Sequence, residues 1–434
     1  MKTLFCAILC LIAASTVLAQ SGSTFTQVEV DAVYPEMHAL YVDLHKTPEL
    51  SQHEAKTSTK MAEGLRRVGF EVTTNVGGYG VVGVMKNGPG KTVLIRTDMD
   101  ALPIVEETGL PFASTVRAKD DAGNEVGVMH ACGHDFHMAS WMGTATLLAK
   151  NKSRWRGTLI MIGQPDEEKI SGARAMIKDG LLTRFPRPDY ALALHDDSDA
   201  PSGTVSVTSG YLLASSTAVD LTIFGRGGHG AHPHTTIDPV VIAAKTVMSL
   251  QTIVSREIAP QEPAVVTVGS IHGGTKHNII PDAVRLQLTV RAYPEAVRQH
   301  ILKSIERIAR AEATAAGAER MPEMKVPETT LATYNDPKVS ARLAETFRRV
   351  LGAERVGEKK PIMGAEDFSE FGNAGIPSLI FFVGAVEPKR FAEAKAKNLP
   401  LPSLHSSKFA PDIEPTLKTG ILATTNAAVE LMKP

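Results

Sequence analysis

Past its first nineteen residues the sequence has a single cysteine, Cys132, because the other two are Cys6 and Cys10. A disulfide within one chain is thereby excluded, and a lone thiol in an exported protein has to be buried and inert, a nucleophile or a metal ligand. Charge of one sign is missing too, since 46 Lys plus Arg stand against 47 Asp plus Glu, a formal net charge of -1. Nucleic acid is therefore not an expected partner, because its binding draws on a surplus of Lys and Arg. Beyond Leu18 no apolar run reaches the roughly 18 residues that a membrane helix needs. Internal repeats, low-complexity tracts and long linkers are absent as well.

What is present begins with a leader. Lys2 is followed by an apolar run from Leu4 to Leu18, too short to span a bilayer, and Val17 and Ala19 are small residues at the -3 and -1 positions of a cleavage site. Residues 1–19 are thus expected to be a signal peptide, cut after Ala19, and the mature protein to be secreted or periplasmic with no membrane contact. With 434 residues, 43% of them hydrophobic and 21% charged, the chain has material for two or three folded units.

Helical spacing of Met37, Leu40, Tyr41 and Leu44 opens the mature region, and Ser51-Gln52-His53-Glu54 reads as a capping box ahead of a second helix. Short β-rich runs follow at 80–85, 92–96, 158–163 and 190–195, separated by helical stretches such as 138–150. This alternation predicts an α/β fold, a mixed, mostly parallel sheet covered by helices on both faces. A different rhythm starts near Ser215: strand 219–224, helix 238–256, strands 265–271 and 284–291, helix 295–316 and a strand near Met324. That βαββαβ order predicts a separate α+β domain at 215–327, inserted into a larger one made of 30–214 and 328–434.

Two nucleotide-like stretches are set aside. Gly88-Pro89-Gly90-Lys91-Thr92 lacks the first glycine of a phosphate loop and precedes its strand, while Gly225-Arg226-Gly227-Gly228-His229-Gly230 opens no helix and reads as a glycine-rich turn. The densest chemistry is His130-Ala131-Cys132-Gly133-His134-Asp135-Phe136-His137, three imidazoles, a thiol and a carboxylate in eight residues. Imidazole and thiolate are favoured ligands of zinc and similar ions, and alternate residues of an extended loop converge on one centre. Core histidines beside an inert cysteine and a Cys-His nucleophilic dyad are the other readings. Asp98 and Asp100, then Asp166, Glu167 and Glu168, then His195, Asp196 and Asp197 each stand just past a strand, where open α/β sheets place their sites.

Carboxylates mixed with histidine and one cysteine over several loops fit a two-ion hydrolytic centre, whereas structural zinc uses compact ligand pairs. One carboxylate outside the ligand set is then needed to move a proton from water to the leaving nitrogen. Glu167 and Glu168 are neighbours, so on an extended segment they face opposite ways, and one can bind metal while the other faces the substrate.

In these motifs the chain resembles the M20 family of metallopeptidases, in its amidohydrolase branch of hippurate, N-acyl-amino-acid and indole-acetyl-amino-acid hydrolases. The likeness runs from about Tyr34 to the carboxyl end through Arg96 to Ile104, Met129 to Asp135, Gln164 to Glu168, Gly227 to Pro233, Gly273-Gly274-Thr275, Asn278 to Asp282, Met363 to Phe368 and Leu404-His405-Ser406. By position it implies Cys132, His134, Glu168, His195 and His405 as ligands of two divalent ions. Zinc or manganese is expected, with cobalt or nickel open. It further implies Glu167 as the general base, Asp98 as the carboxylate supporting the metal side, and a homodimer in which the inserted lid and dimerisation domain brings His229 to the oxyanion of the partner's site. Asn278 and Arg291 offer an amide and a fork of donors for a substrate carboxylate. The implied reaction cleaves N-acyl amino acids or dipeptide-like compounds to a carboxylic acid and an amino acid. A carboxypeptidase or dipeptidase of the same fold is the alternative, and a silent binding protein a more distant one. Asp166 stands where the family usually has Ala, Lys169-Ile170-Ser171 where it is glycine-rich, and Asp196 to Asp199 where relatives are apolar or aromatic.

Overall fold

The computed structural model describes residues 24–433, so the leader expected through Ala19 lies outside the described residues. Two compact units are present, one formed by residues up to 210 with 335–359 and 374 onward, the other by 211–334 with 360–373. In chain order the first begins with α1 (Gln27–Lys46), α2 (Ala55–Arg67), β1 (Glu71–Val76), β2 (Gly80–Asn87), β3 (Thr92–Asp98), α3 (His134–Lys150), β4 (Gly157–Gln164) and β5 (Tyr190–Pro201). The second holds β6 (Ser216–Phe224), α4 (Pro239–Thr252), β7 (Ala264–His272), β8 (Ala283–Ala292), α5 (Glu295–Ala315) and β9 (Glu323–Lys325). The chain then completes the first unit with α6 (Pro337–Leu351), β10 (Ser378–Val386) and α7 (Ile413–Met432).

The first unit's sheet runs β1-β2-β4-β3-β5-β10, ending on the two-residue strands Val205–Ser206 and Val356–Gly357. Its centre is parallel, β4 with β3, β3 with β5 and β5 with β10, while β1 and β2 are antiparallel. Val93, Leu94 and Ile95 of β3 and Leu159 to Ile162 of β4 are buried as continuous runs, the pattern of strands covered on both faces. Helix α3 packs on α1, α7 and β3. Trp141 ties it down by donating its indole N–H to Ile95 O at 3.0 Å. His134 lies seven residues earlier, two turns back on the same helical face, so the anchoring of Trp141 also turns His134 toward the sheet.

The second unit is an antiparallel sheet ordered β7-β8-β6-β9, with α4 and α5 packed on it. Val284, Leu286, Leu288, Val290 and Ala292 of β8 are buried at every second position, as a sheet with one packed face requires.

Three local expectations are corrected. Helix α3 starts at His134, so the end of the 130–137 cluster is a helical first turn and not extended loop. β5 continues through Asp196 to Pro201, because pairing with β10 carries it past the acidic residues. Ser51 to Glu54 form no capping box: the Ser51 hydroxyl donates to Asp100 Oδ2 at 2.6 Å, and Glu54 Oε1 accepts the N–H of Asp166 at 2.8 Å and of Gln52 at 3.0 Å. Tertiary partners outbid the local cap for these groups.

Candidate metal centre

The sheet register sets the site level. Asp98 at the end of β3 pairs with Gln164 at the end of β4. The β3–β5 ladder closes on Arg96 with Ala193, two residues below Asp98 and His195. Cys132 comes from the loop before α3, whose turn at Gly133 has φ 74°. A side chain is excluded there, since a Cβ on Gly133 would stand 2.4 Å from Asp196 Oδ2.

Cys132 Sγ lies 3.2 Å from His405 Nε2 and 3.6 Å from His195 Nε2. His405 Nε2 is 3.5 Å from Glu168 Oε2, and His134 Nε2 is 3.8 Å from Glu168 Oε1. The first three are separations of atoms sharing a cation through bonds of about 2.0 to 2.3 Å. His134 Nε2 and Glu168 Oε1 are buried without a hydrogen-bond partner, a costly arrangement unless each meets a cation. Cys132 belongs to two such groups, one with His134 and His195 and the other with Glu168 and His405, so the donor set fits two cations on either side of one sulfur.

The imidazoles are oriented from behind. His134 Nδ1 lies 2.8 Å from Asp100 O and His195 Nδ1 2.9 Å from Asp196 O, so each Nδ1 carries the proton and each Nε2 offers its lone pair to the centre. His405 takes left-handed backbone at φ 64°, its N–H bonded to Ala131 O at 2.9 Å. Partial burial, with help from His134 and His195, lowers its pKa, the direction that favours the neutral ring a ligand needs. Burial also raises the Glu168 carboxyl to about 7 and, with the charge of Glu168, pushes the Cys132 thiol well above its ordinary value. A raised thiol disfavours the Cys-His dyad, whose nucleophile needs a depressed one. Metal binding here has to displace protons, so affinity rises with pH.

Asp98 stands beside the cation-facing nitrogen of His134. Its Oδ2 accepts from Arg96 at 2.7 Å and lies 3.7 Å from His134 Nε2, while Oδ1 is 2.7 Å from His137 Nδ1. Although burial opposes it, the surrounding His134, His137 and Arg96 hold this carboxyl well below the usual range. His137 Nε2 in turn lies 3.2 Å from Asp196 Oδ1. Against burial, Asp98 and Asp196 raise the His137 ring to about 9, and its Nε2 also accepts the Asp196 N–H at 3.0 Å. His137 and Asp196 stand among the clustered ionisable residues of the sequence but carry no assigned role there; the helical spacing of His137 three residues after His134 is the signal for one.

Glu167 and Glu168 depart from expectation in their backbone. Residues 167–170 form a turn in which Ile170 N–H donates to Glu167 O at 2.6 Å, so the pair does not alternate as on a strand. Both carboxylates approach the same ring, Glu167 Oε2 at 3.9 Å from His134 Nε2.

His229, Asn278 and Arg291 belong to the second unit. The short strands Gly228–His229 and Ile279–Ile280 pair His229 with Ile279, and Gly230 N–H donates to Asn278 O at 2.9 Å, so His229 and Asn278 share one exposed corner. His229 Nδ1 accepts the Ala231 N–H at 3.0 Å, which leaves the proton of the neutral ring on Nε2, free to be donated. Arg291 lies on β8 opposite the packed face, half-buried and with no acidic partner among the described residues. Burial lowers its pKa.

The profile of peptidase family M20/M25/M40 matches residues 94–405. Thermostable carboxypeptidase 2 of Saccharolobus solfataricus is 39% identical over 89% of this chain and 93% of its own. Hippurate hydrolase of Campylobacter jejuni is 34% identical over 77% of this chain and 85% of its own. Among solved structures, a dinuclear metal binding peptidase from the M20 family of Bacillus subtilis superposes with a TM-score of 0.76 at 30% identity, covering 93% of this chain and 99% of that one.

Proposed function

The chain belongs to peptidase family M20/M25/M40, whose members are metal-dependent hydrolases of amides and peptides, and from that premise we propose that it cleaves N-acyl amino acids or dipeptide-like amides to a carboxylic acid and an amino acid. The observation that carries the reading is the shared Cys132, with His134 and His195 on one side and Glu168 and His405 on the other. Two divalent ions held there, zinc or manganese foremost, would polarise the scissile carbonyl and acidify a water. Glu167, 6% exposed and beside this cluster, takes the proton of that water and returns it to the leaving nitrogen. Asp98, bonded to His137 and 3.7 Å from His134 Nε2, supports the metal side. The leader expected through Ala19 supports reading the protein as secreted or periplasmic, and no helix among the described residues is long and apolar enough to cross a membrane.

Both named relatives point to a free carboxylate on the amine side, hippurate being an acylated glycine and a carboxypeptidase substrate ending in one. Arg291, without an acidic partner, and Asn278 are the groups to receive it. Converting the carboxylate of a good substrate to its amide should then raise KM at least tenfold, the weight of one lost charge-assisted contact of about 1.5 kcal/mol or more. An unchanged KM would discard the carboxylate and these two residues together.

His229 is proposed to donate its Nε2 proton to the oxyanion of the partner's site in a two-fold dimer. Support comes from the open edge of β7 and from apolar surface on the same unit: Val241, Met248 and Ile271 are 51%, 72% and 52% exposed. Mixing inactive Glu167→Ala and His229→Ala proteins under subunit exchange should restore about a quarter of wild-type activity, because half of the dimers are mixed and one of their two sites is complete. No recovery despite proven exchange would place His229 in its own subunit's site, or in none.

A further inference from the structure

The loop 165–172 that carries Glu167 and Glu168 holds two non-glycine residues in left-handed backbone, Asp166 at φ 59° and Ile170 at φ 57°. For a β-branched residue such as Ile170 this is a rare conformation that persists only where its surroundings over-determine it. The backbone supplies part of the restraint: Asp166 O accepts the N–H of Ser171 at 3.2 Å and of Gly172 at 3.1 Å. The neck of the loop is so tight that a Cβ on Gly172 would stand 1.7 Å from Pro165 O.

Side chains supply the rest. Asp166 Oδ2 accepts both the Ser171 hydroxyl and Gln52 Nε2, the latter at 3.0 Å. Gln52, itself left-handed at φ 67°, sends its N–H to Glu54 Oε1, the same oxygen that takes the Asp166 N–H. At the other end of the Glu pair, Glu168 N–H donates at 2.9 Å to Asp100 Oδ2, which also receives the Ser51 hydroxyl. The segment 51–54, which caps no helix, thus grips the loop on both sides of Glu167. Asp166 and Lys169-Ile170-Ser171 are also where this loop departs from the family pattern, and through Asp166 and Ser171 the two departures touch.

We propose that Asp166 is a positioning residue, its carboxylate binding Ser171 and Gln52 so as to hold the loop shut over the strained Ile170 and fix the direction of Glu167. A hydroxyl-carboxylate bond here does the work that glycine freedom would do in a looser turn. The proposal rests on Glu167 as the base and deepens that reading.

Asp166→Ala should lower kcat roughly 10- to 100-fold, the scale of a misplaced catalytic group, with KM and bound metal little changed. Amide hydrogen exchange across 167–171 should quicken in the same protein. Asp166→Asn, which keeps an acceptor oxygen for both donors, should stay within about threefold of wild type, and the double variant Asp166→Ala/Ser171→Ala should be no slower than Asp166→Ala alone. Should Asp166→Ala fail to fold, Ser171→Ala carries the test with the same split of kcat from KM. Wild-type kcat in Asp166→Ala overturns the proposal, as does a loss in Asp166→Asn equal to that in Asp166→Ala, or additive losses in the double variant. Full turnover in Glu167→Gln would instead remove the base itself and the proposal with it, so the two failures are distinguishable.

Discussion

Glu167→Gln should retain its full complement of metal and lose about 10²- to 10⁴-fold in kcat, the usual contribution of a positioned proton transfer. The substitution keeps the size of a side chain that is 8% exposed, so packing is preserved while the proton acceptor is removed. His134 Nε2 stands 3.8 Å from Glu168 and 3.9 Å from Glu167, which makes the pair hard to tell apart by distance. Metal content tells them apart, because losing the ligand empties a site and losing the base does not. An active but metal-poor Glu167→Gln protein would reverse the two roles.

Cys132→Ala should lose metal and turnover together, and by more than any one histidine variant, because Cys132 alone belongs to both ligand groups. One fewer donor on each cation weakens both, and rate falls with occupancy. The measurement is metal per chain after dialysis against a weak chelator, set beside kcat on the same sample. A Cys132→Ala protein that keeps both ions and its rate would remove the sulfur from the centre.

Much of this centre was legible because its parts sit where strands end. The runs 158–163 and 92–96 are apolar and β-branched, so their ends, and the ionisable residues just beyond, could be placed from periodicity. The extension of β5 could not. Asp196 to Asp199 lie beyond the strand expected at 190–195, yet Asp196 is fully buried, where hydrogen bonds from His137 and His195 outweigh its desolvation and hold its carboxyl at about 2. Its burial depends on partners 59 residues away in the chain, information that no local pattern contains. Ser51 and Glu54 misled for the opposite reason. Their spacing suits a helix cap, but Asp100 and Asp166, brought in by other strands, compete for the same donors and acceptors. His229 and Asn278 were named separately, and only the pairing of two-residue strands shows that they share a corner.

The proposed two-cation hydrolytic centre splits N-acyl amino acids. It is tested most directly by titrating the metal-free protein with zinc or manganese while following release of free amino acid from an N-acyl amino acid with ninhydrin. No release is expected without metal, and a rise that completes at two ions per chain. Full release from the metal-free protein, or two ions bound per chain with no amino acid released from any N-acyl amino acid or dipeptide, would contradict it.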